Sequence, residues 1–329
     1  MTKVLIVFHH QFDFWDVPLW FVERMRKEFS SLELVRLPSY DGVEEQIRDA
    51  EVVITWSLRP EQVKIAKKLR WLHSPAAAVH QLLFPEIIHS GIILTNGRDV
   101  HGPVVAEHIM ALILALAKKL PQASRFQQKR TWGQEELWRS RTHPREVAGA
   151  TVGFVGLGSI GRTAASHASA LGMRVIAVRE HPEKGSPDGV QQVFAPAQLD
   201  TLLSQSDYVV LAAPVTSATN NLIDAERLSK MKPDAYLINV GRGQLVDEGA
   251  LIKVLRENKI GGAALDVFVE EPLPSDSPLW DLENVLITPH IGSLTENQWE
   301  RQYALIAENM RRYLNHQPLM AVVDKQNGY

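Results

Sequence analysis

Short runs of apolar residues alternate along the chain with longer segments in which apolar residues recur at helical spacing. The runs are rich in Val, Ile and Leu, which is typical of strands buried on both faces of a parallel sheet. Helices between successive strands would cover the two faces. The pattern predicts an α/β protein with ten strands, at Val4–Phe8, Leu32–Leu37, Val52–Thr55, Ile92–Thr95, Thr151–Leu157, Met173–Val178, Tyr208–Ala212, Ala235–Val240, Ala263–Phe268 and Val285–Thr288.

Two long segments of helical spacing separate and follow these strands. The first predicts one helix over residues 103–130, with Pro103 in its first turn and Pro121 kinking or interrupting it. The second predicts a helix over Thr295–Leu314, with Thr295 as its N-cap. A chain of 329 residues is long enough for two cores. We expect one domain of residues 1–101 plus 295–329 and a second of residues 102–294 inserted into it, both doubly wound with mainly parallel sheets.

Composition excludes several classes of site and partner. The chain is 45% hydrophobic and 22% charged with a formal net charge of -3, so it lacks the basic surface that binds nucleic acid or an anionic membrane. Without cysteine it has no disulfide, thiolate nucleophile or cysteine-held metal, and we expect no metal site. The longest apolar run, Ile109–Ala117, spans about half a bilayer. We expect a cytoplasmic protein with a small-molecule partner.

A glycine-rich turn follows the apolar run that begins at Thr151. Gly156, Gly158 and Gly161 form GxGxxG between this strand and a helix of small residues. The three glycines meet three different needs: a tight turn, a close backbone approach to pyrophosphate, and close packing of helix against strand. The free N–H groups at the start of the helix suit an anion. The turn therefore predicts a dinucleotide-binding βαβ unit.

The residues after the next strand bear on the choice of dinucleotide. NAD sites usually have an acidic residue here for the ribose hydroxyls, whereas the 2′-phosphate of NADP requires a cation and no facing carboxylate. The chain has Arg179 directly after Val178, followed by Glu180. We expect Arg179 to bind the phosphate, which favours NADP. The alternative is a solvated Arg179 with Glu180 on the ribose, which would give NAD.

Three polar residues, Arg242, Glu271 and His290, each follow one of the last three predicted strands. The carboxyl ends of parallel strands share one edge of a sheet, so we expect these side chains to converge where the glycine turn holds the cofactor. Hydride transfer to a carbonyl requires a proton donor and a cation. His290 is the expected general acid and base, and Glu271 is the partner that stabilises its imidazolium. The planar guanidinium of Arg242 is expected to bind the carboxylate and the carbonyl oxygen of the substrate. Taken singly, each is also compatible with a turn or surface residue.

The chain resembles the D-isomer-specific 2-hydroxyacid dehydrogenase family over nearly all of its length. Five motifs carry the resemblance: GFVGLGSIGR from Gly153, LAAPVTSAT from Leu211, INVGRG from Ile238, GAALDVFVEEPLP from Gly262 and TPHIG from Thr288. The resemblance implies a nicotinamide-dependent oxidoreductase of small 2-oxo and 2-hydroxy acids, of the glyoxylate or hydroxypyruvate reductase kind. It implies a Rossmann domain inserted into a flavodoxin-like substrate domain, and it makes the arginine, glutamate and histidine above the catalytic set.

The resemblance also implies cofactor contacts beyond the three glycines. The expected contacts are Ser159 and Ile160 on the pyrophosphate, Pro214 and Thr219 near the adenosine, Val240 and Asp266 near the nicotinamide, and Gly292 beside the histidine.

In the first domain, the segment Ser74–Val79 stands where the family has a glycine-rich loop whose backbone N–H groups bind the substrate carboxylate. Alanines replace the glycines here, and a positive φ would cost alanine roughly 1 kcal/mol or more. Ala77 and Ala78 are the expected substrate contacts, and His80 follows where the family often has Asp.

The family further implies a homodimer formed through the helix of residues 103–130. On the segment after that helix, Trp132 and Trp138 are expected to pack the dimer interface, the alternative being that they reach the partner's active-site mouth.

Other activities stay open at this point. Relatives act on 3-phosphoglycerate, formate or phosphite, but a phosphorylated substrate would require a basic cluster that the first domain does not suggest, and we expect no terminal regulatory domain. A different class is the dinucleotide-sensing binding protein, as in corepressors related to this family. The chain has all three residues of the family's catalytic set and we expect no appended interaction segment, so an enzyme is favoured.

Overall fold

Twelve strands, all parallel to their neighbours, form two sheets in the computed structural model, which describes residues 1–10, 12–326 and 328; the counts here refer to those residues. The strands are β1 (Lys3–Val7), β2 (Glu33–Leu37), β3 (Val52–Thr55), β4 (Trp71–Ser74), β5 (Ile93–Asn96), β6 (Thr151–Val155), β7 (Arg174–Val178), β8 (Gln192–Phe194), β9 (Tyr208–Leu211), β10 (Tyr236–Asn239), β11 (Gly262–Leu265) and β12 (Val285–Ile287).

Helices connect nearly all successive strands. They are α1 (Leu19–Glu28), α2 (Val43–Gln46), α3 (Pro60–Ile65), α4 (Pro85–Ile88), α5 (Gly102–Ala117), α6 (Leu120–Gln128), α7 (Gln134–Arg139), α8 (Ser159–Ala170), α9 (Leu199–Gln205), α10 (Ala225–Lys230), α11 (Glu248–Arg256) and α12 (Gln298–Leu314). Short 3₁₀ turns lie at Asp13–Trp15, His80–Leu82, Pro182–Lys184, Pro196–Gln198, Gly243–Leu245 and Pro278–Asp281.

The chain divides into two compact units. Unit 1 is Met1–His101 with Thr295–Tyr329, and unit 2 is Gly102–Leu294. Each unit holds one of the two sheets. The assignment of substrate binding to unit 1 and of dinucleotide binding to unit 2 stays a prediction at this stage.

In unit 1 the strand order is β2-β1-β3-β4-β5, which is the flavodoxin-like order. Successive residues of β1 alternate between two cores, because side chains along a strand point to opposite faces. Val4 and Ile6 pack with α1 and α12 on one face, whereas Leu5 and Val7 pack with the residues of α2 to α4 on the other. Helices on both faces explain why the four successive apolar residues of β1, Val4 to Val7, are all buried.

In unit 2 the strand order is β12-β11-β10-β9-β6-β7-β8. The chain winds outward from β6 in one direction and from β9 in the other, so the topological switch point lies between β6 and β9. Helices α5 and α8 cover one face, and α9 to α11 cover the other. This doubly wound arrangement confirms the predicted α/β fold with a Rossmann sheet, and open sheets of this kind bind ligands at the carboxyl ends beside the switch point.

The long helix predicted over residues 103–130 was wrong as one element, because the structure has two helices there, α5 and α6. The break falls at Lys119, whose φ of 58° is left-handed. Its buried Nζ donates a hydrogen bond to the Tyr236 hydroxyl at 2.7 Å, so the chain leaves the helix where the ammonium group turns inward. Pro121 then falls on the second residue of α6, where the first turn of a helix tolerates proline.

Two further corrections concern the ends and number of elements. Helix α12 begins at Gln298 and not at Thr295, because the Thr295 carbonyl and hydroxyl instead accept the N–H groups of Gln298 and Asn297 in a preceding turn. The strands β4 and β8 were not predicted. Among the described residues, no helix is long and apolar enough to span a bilayer.

Candidate active site

The glycine turn after β6 lies at the switch point of the unit 2 sheet. Gly156 has a φ of 100°, and a Cβ there would lie 2.9 Å from the Ala212 carbonyl oxygen after β9. A Cβ on Gly161 would lie 2.1 Å from the Gly156 oxygen. Both positions therefore require glycine. Around Gly158 a Cβ would meet no protein atom within 4 Å, which leaves open space beside the turn.

Helix α8 begins at this turn with its first amides unused. Within the described residues, the N–H groups of Ser159, Ile160 and Gly161 donate no hydrogen bond to the protein. Free N–H groups at the start of a 12-residue helix, together with its dipole, favour an anion there. The turn and the helix thus fit the pyrophosphate of a dinucleotide, as the sequence predicts.

Arg179 directly follows β7, and its backbone N–H donates to the Phe194 oxygen at 3.2 Å. Its side chain makes no ion pair or hydrogen bond within the described part of the chain, and the residue is half-buried while Glu180 is exposed. At the end of β9, the Thr219 hydroxyl donates to the Pro214 oxygen at 2.7 Å and accepts the Thr216 N–H at 2.7 Å. The first of these bonds joins Pro214 and Thr219, the two residues that the family resemblance places near the adenosine.

Arg242 and Glu271 lie on the loops after β10 and β11, which pack tightly together. A Cβ on Gly243 would lie 1.9 Å from the Phe268 carbonyl carbon, so only glycine permits this approach. The Arg242 guanidinium donates to the Gly241 oxygen at 2.6 Å. Burial lowers the pKa of Arg242, and the negative charge of Glu271 acts against that effect. Gly243 is a site residue that the sequence analysis missed, although it is the last residue of the INVGRG motif.

Glu271 and His290 form a hydrogen-bonded pair. Oε2 of Glu271 lies 2.6 Å from Nδ1 of His290, and Oε1 accepts the Phe268 N–H at 2.9 Å. Burial raises the pKa of Glu271, but the bonds from His290 and Phe268 and the charges of His290 and Arg242 lower it overall. A carboxylate at this position makes Nδ1 the donor of the pair, so Nε2 is the ring nitrogen left to exchange a proton with a substrate.

The loop after β12, which carries His290, is held by one buried carboxylate, that of Asp266. His290 has a left-handed φ of 53°, a conformation that costs a non-glycine residue roughly 1 kcal/mol. Asp266 accepts hydrogen bonds from the Thr288 hydroxyl at 2.6 Å, the Ile291 N–H at 3.0 Å and the Gly292 N–H at 2.9 Å. A Cβ on Gly292 would lie 2.8 Å from an Asp266 oxygen, which explains the glycine.

His108 on α5 completes this arrangement and was missed by the sequence analysis. Its Nε2 lies 3.3 Å from Asp266 Oδ1 and 3.3 Å from the Thr288 hydroxyl. Burial raises the pKa of Asp266, but the bonds from His108, Thr288 and Gly292 lower it overall, so the carboxylate stays ionised. The signal was the polar pair Glu107 and His108 within an otherwise apolar helix. Val240 is buried at the end of β10, and the expected nicotinamide contacts of Val240 and Asp266 stay predictions.

In unit 1, the alanine loop (Ala76–Ala78) follows β4 and offers three unused amides. No residue of this segment has a positive φ, so alanine is adopted without the strain that the sequence analysis considered. Among the described residues, the loop's three N–H groups have no acceptor, although the three residues are half-buried. Three adjacent free N–H groups suit a carboxylate. Within the described residues, no group of three or more His, Asp or Glu is arranged to hold a metal ion.

Comparisons with known proteins identify the family. The sequence profile described as "D-isomer specific 2-hydroxyacid dehydrogenase, NAD binding domain" matches residues 110–292. The glyoxylate reductase of Thermococcus onnurineus is 35% identical over 293 residues, which cover 86% of this chain and 85% of that protein. The D-3-phosphoglycerate dehydrogenase of Methanocaldococcus jannaschii is 32% identical over 309 residues, which cover 92% of this chain but 57% of that protein.

A solved structure agrees with these relatives. The NADPH-dependent glyoxylate/hydroxypyruvate reductase of Sinorhizobium meliloti, solved in complex with NADP and sulfate, has a TM-score of 0.82 and 26% sequence identity, covering 100% of both chains. The chain belongs to the D-isomer specific 2-hydroxyacid dehydrogenase family. It is an NAD(P)-dependent oxidoreductase that acts on the CH–OH group of 2-hydroxy acids.

Two glycine substitutions distinguish the effect of the turn on stability from its effect on cofactor binding. In Gly158→Ala the new methyl group has room in the protein but intrudes on the predicted pyrophosphate position, so we expect unchanged thermal stability and at least roughly tenfold weaker NADPH binding. In Gly161→Ala the methyl group overlaps the Gly156 oxygen, so both stability and binding should fall. Gly249→Ala, within α11, is the matched control. Fluorescence titration of NADPH and a thermal melt give both quantities, and normal binding by Gly158→Ala would contradict the cofactor assignment.

Proposed function

We propose that the protein reduces a small 2-oxo acid, with Arg242, Glu271 and His290 as the catalytic residues. The observation that carries the proposal is the 2.6 Å hydrogen bond between His290 Nδ1 and Glu271 Oε2. The negative charge of Glu271 also acts on the Arg242 guanidinium, whose pKa it raises. A base, a carboxylate that orients it and a cation thus lie at the carboxyl ends of three neighbouring strands of unit 2. Each is the residue type that carbonyl reduction requires.

The chemistry assigns one task to each side chain. When bound, the reduced nicotinamide supplies the hydride. His290 gives the proton on Nε2 to the carbonyl oxygen as that oxygen becomes a hydroxyl, and it takes the proton back in the oxidative direction. The Glu271 carboxylate holds the ring by Nδ1 and stabilises the imidazolium that precedes proton transfer. The Arg242 fork holds the substrate's carboxylate and carbonyl oxygens and polarises the bond to be reduced.

The substrate class we propose is that of small, unphosphorylated 2-oxo acids such as glyoxylate and hydroxypyruvate. The unused amides of the alanine loop support a carboxylate ligand in unit 1, with Ala77 and Ala78 as contacts. The segment Ser74–Val79 contains no cation to pair with a phosphate. The names of the relatives from Thermococcus onnurineus and Sinorhizobium meliloti support the same class.

A substrate panel with one catalytic variant tests this proposal. We expect wild type to oxidise NADPH with glyoxylate and hydroxypyruvate, and His290→Gln to lower kcat by roughly 10²-fold or more while the Kd for NADPH stays nearly unchanged, because the proton donor alone is lost. His89→Gln, an exposed histidine on α4's C-terminal end, is the control. Unchanged turnover in His290→Gln would remove it from the mechanism. Cofactor binding without reduction of any 2-oxo acid would favour a dinucleotide-sensing protein.

We propose NADP as the preferred cofactor, with Arg179 on the 2′-phosphate. The support is a guanidinium directly after β7 with no carboxylate partner in the described chain and an exposed Glu180 next to it. The NADP complex of the Sinorhizobium meliloti relative is consistent with this preference.

Charge reversal at this residue tests the preference. Arg179→Asp should lower kcat/KM for NADPH by roughly 10²-fold and leave that for NADH equal or higher, because a carboxylate repels the phosphate and accepts ribose hydroxyls. Arg174→Asp, at the opposite end of β7, is a matched control that carries the same change of net charge. If the NADPH to NADH ratio were equal in Arg179→Asp and wild type, Arg179 would have no part in phosphate binding.

We also propose a homodimer that uses the segment of residues 103–139. Exposed apolar side chains on this segment support it: Leu120 is 55% exposed, Trp132 88% and Trp138 63%. Large apolar side chains that are exposed on one segment would be buried if that segment formed an interface.

Sedimentation at several concentrations tests the dimer. We expect twice the monomer mass for wild type and a dimer Kd raised at least roughly tenfold in the Leu120→Ser, Trp132→Ser double variant, because the apolar area buried on association falls. Trp280→Ser, a 49% exposed tryptophan elsewhere in unit 2, is the control. A monomer at all concentrations would reject the proposal.

A further inference from the structure

The alanine loop is tied to unit 1 by three successive carbonyl groups. The Pro75 oxygen accepts a hydrogen bond from Gln302 Nε2 at 2.8 Å. The Ala76 oxygen accepts the Gly97 N–H at 3.0 Å, and the Ala77 oxygen accepts from Asn96 Nδ2 at 2.6 Å. Every oxygen of the loop's first three peptide groups is therefore held by the body of the unit.

Anchoring the oxygens determines the direction of the amides. In a trans peptide the C=O of one residue and the N–H of the next lie in one plane and point in opposite directions. Holding the oxygens of Pro75, Ala76 and Ala77 inward consequently aims the N–H groups of Ala76, Ala77 and Ala78 outward. These are the three amides that have no acceptor within the described chain.

Gln302 is the one side chain of α12 among these anchors. It is fully buried, and its Nε2 would also lie 3.0 Å from a Cβ on Gly97, so it fills the space directly beneath the loop. The other two anchors are Asn96, the last residue of β5, and Gly97 directly after it. Gln302 thus brings the C-terminal helix of unit 1 into contact with the start of the loop.

Buried polar side chains lie close to Gln302 in the core of unit 1. The Trp71 indole, which can only donate, gives its N–H to the Thr95 hydroxyl at 2.8 Å. The Thr95 hydroxyl also lies 2.8 Å from His73 Nδ1.

Neither Nε2 of His73 nor Oε1 of Gln302 has a hydrogen-bond partner within the described chain. Burial lowers the pKa of His73 to about 3, and the Gln302 side chain acts in the opposite direction. The imidazole is therefore neutral. The Gln302 amide is oriented by its other end, because its NH₂ group donates to the Pro75 carbonyl.

We propose that Gln302 is a positioning residue for substrate binding, which keeps the three amides of the alanine loop aimed at the substrate carboxylate. The inference rests on the proposed function, in which this loop binds that carboxylate. Gln302 touches no reacting atom. Its effect is on the affinity for the acid, transmitted through the Pro75 peptide group.

Two substitutions of Gln302 and one matched control test this inference in the full-length enzyme. Gln302→Leu removes the amide at similar volume, and Gln302→Glu keeps the acceptor but loses the donor to Pro75. In both we expect the KM for glyoxylate and the inhibition constant of oxamate to rise roughly tenfold or more, with the KM for NADPH and kcat at saturating acid changing less than about threefold, because a misdirected carboxylate site weakens acid binding alone.

Asn309→Leu is the control because Asn309 is also a fully buried amide on α12. It pairs with both the Met320 oxygen at 3.1 Å and the Met320 N–H at 2.7 Å, and with no residue of the alanine loop. It should lower stability without raising the KM for glyoxylate.

Equal KM values in wild type and both Gln302 variants would overturn the inference while leaving the proposed function intact. An equal rise of the KM for glyoxylate in Asn309→Leu would also overturn the inference, because the effect would then come from a general destabilisation of α12. Failure of the wild-type enzyme to reduce any 2-oxo acid would instead reject the proposed function itself. If Gln302→Leu does not fold, Gln302→Glu carries the same comparison.

Discussion

The geometry of the candidate catalytic residues depends on one buried carboxylate, Asp266. Its two oxygens accept hydrogen bonds from three groups of the loop after β12, and His108 lies against one of them. A buried charge is costly unless it is paired and hydrogen-bonded, and here four donors meet that requirement. The same bonds compensate the left-handed backbone of His290. The buried charge and the strained residue therefore stabilise each other.

Much of the fold and site could be predicted because the evidence for them is local in sequence. Apolar runs identify strands that are buried on both faces, and the glycine turn is recognised from three glycines within six residues, two of which, Gly156 and Gly161, contact each other. Arg242, Glu271 and His290 could be proposed together because parallel strands present their carboxyl ends at one edge. The 2.6 Å contact between Glu271 and His290 agrees with that expectation.

What could not be predicted depends on partners far apart in sequence. Strand β4 ends in His73 and Ser74, whose polarity hides a fully buried strand, and His73 is accommodated by Thr95 on the neighbouring strand. The helix break at Lys119 depends on Tyr236, more than a hundred residues away. His108 and Gly243 have meaning only beside Asp266 and Phe268. None of these pairings leaves a periodic signal in the sequence.

In both units, hydrogen bonds to the backbone of a loop determine which groups that loop exposes. The bonded backbone groups are N–H groups in unit 2 and C=O groups in unit 1. In unit 2 a side-chain carboxylate holds backbone N–H groups, so that the loop projects the His290 ring. In unit 1 side-chain and backbone donors hold carbonyl oxygens, so that the loop projects its own N–H groups. The second arrangement needs no special backbone conformation, since no residue of the alanine loop has a positive φ. Alanine can therefore replace glycine in that loop, while Gly292, which packs against the Asp266 carboxylate, cannot gain a side chain without moving it.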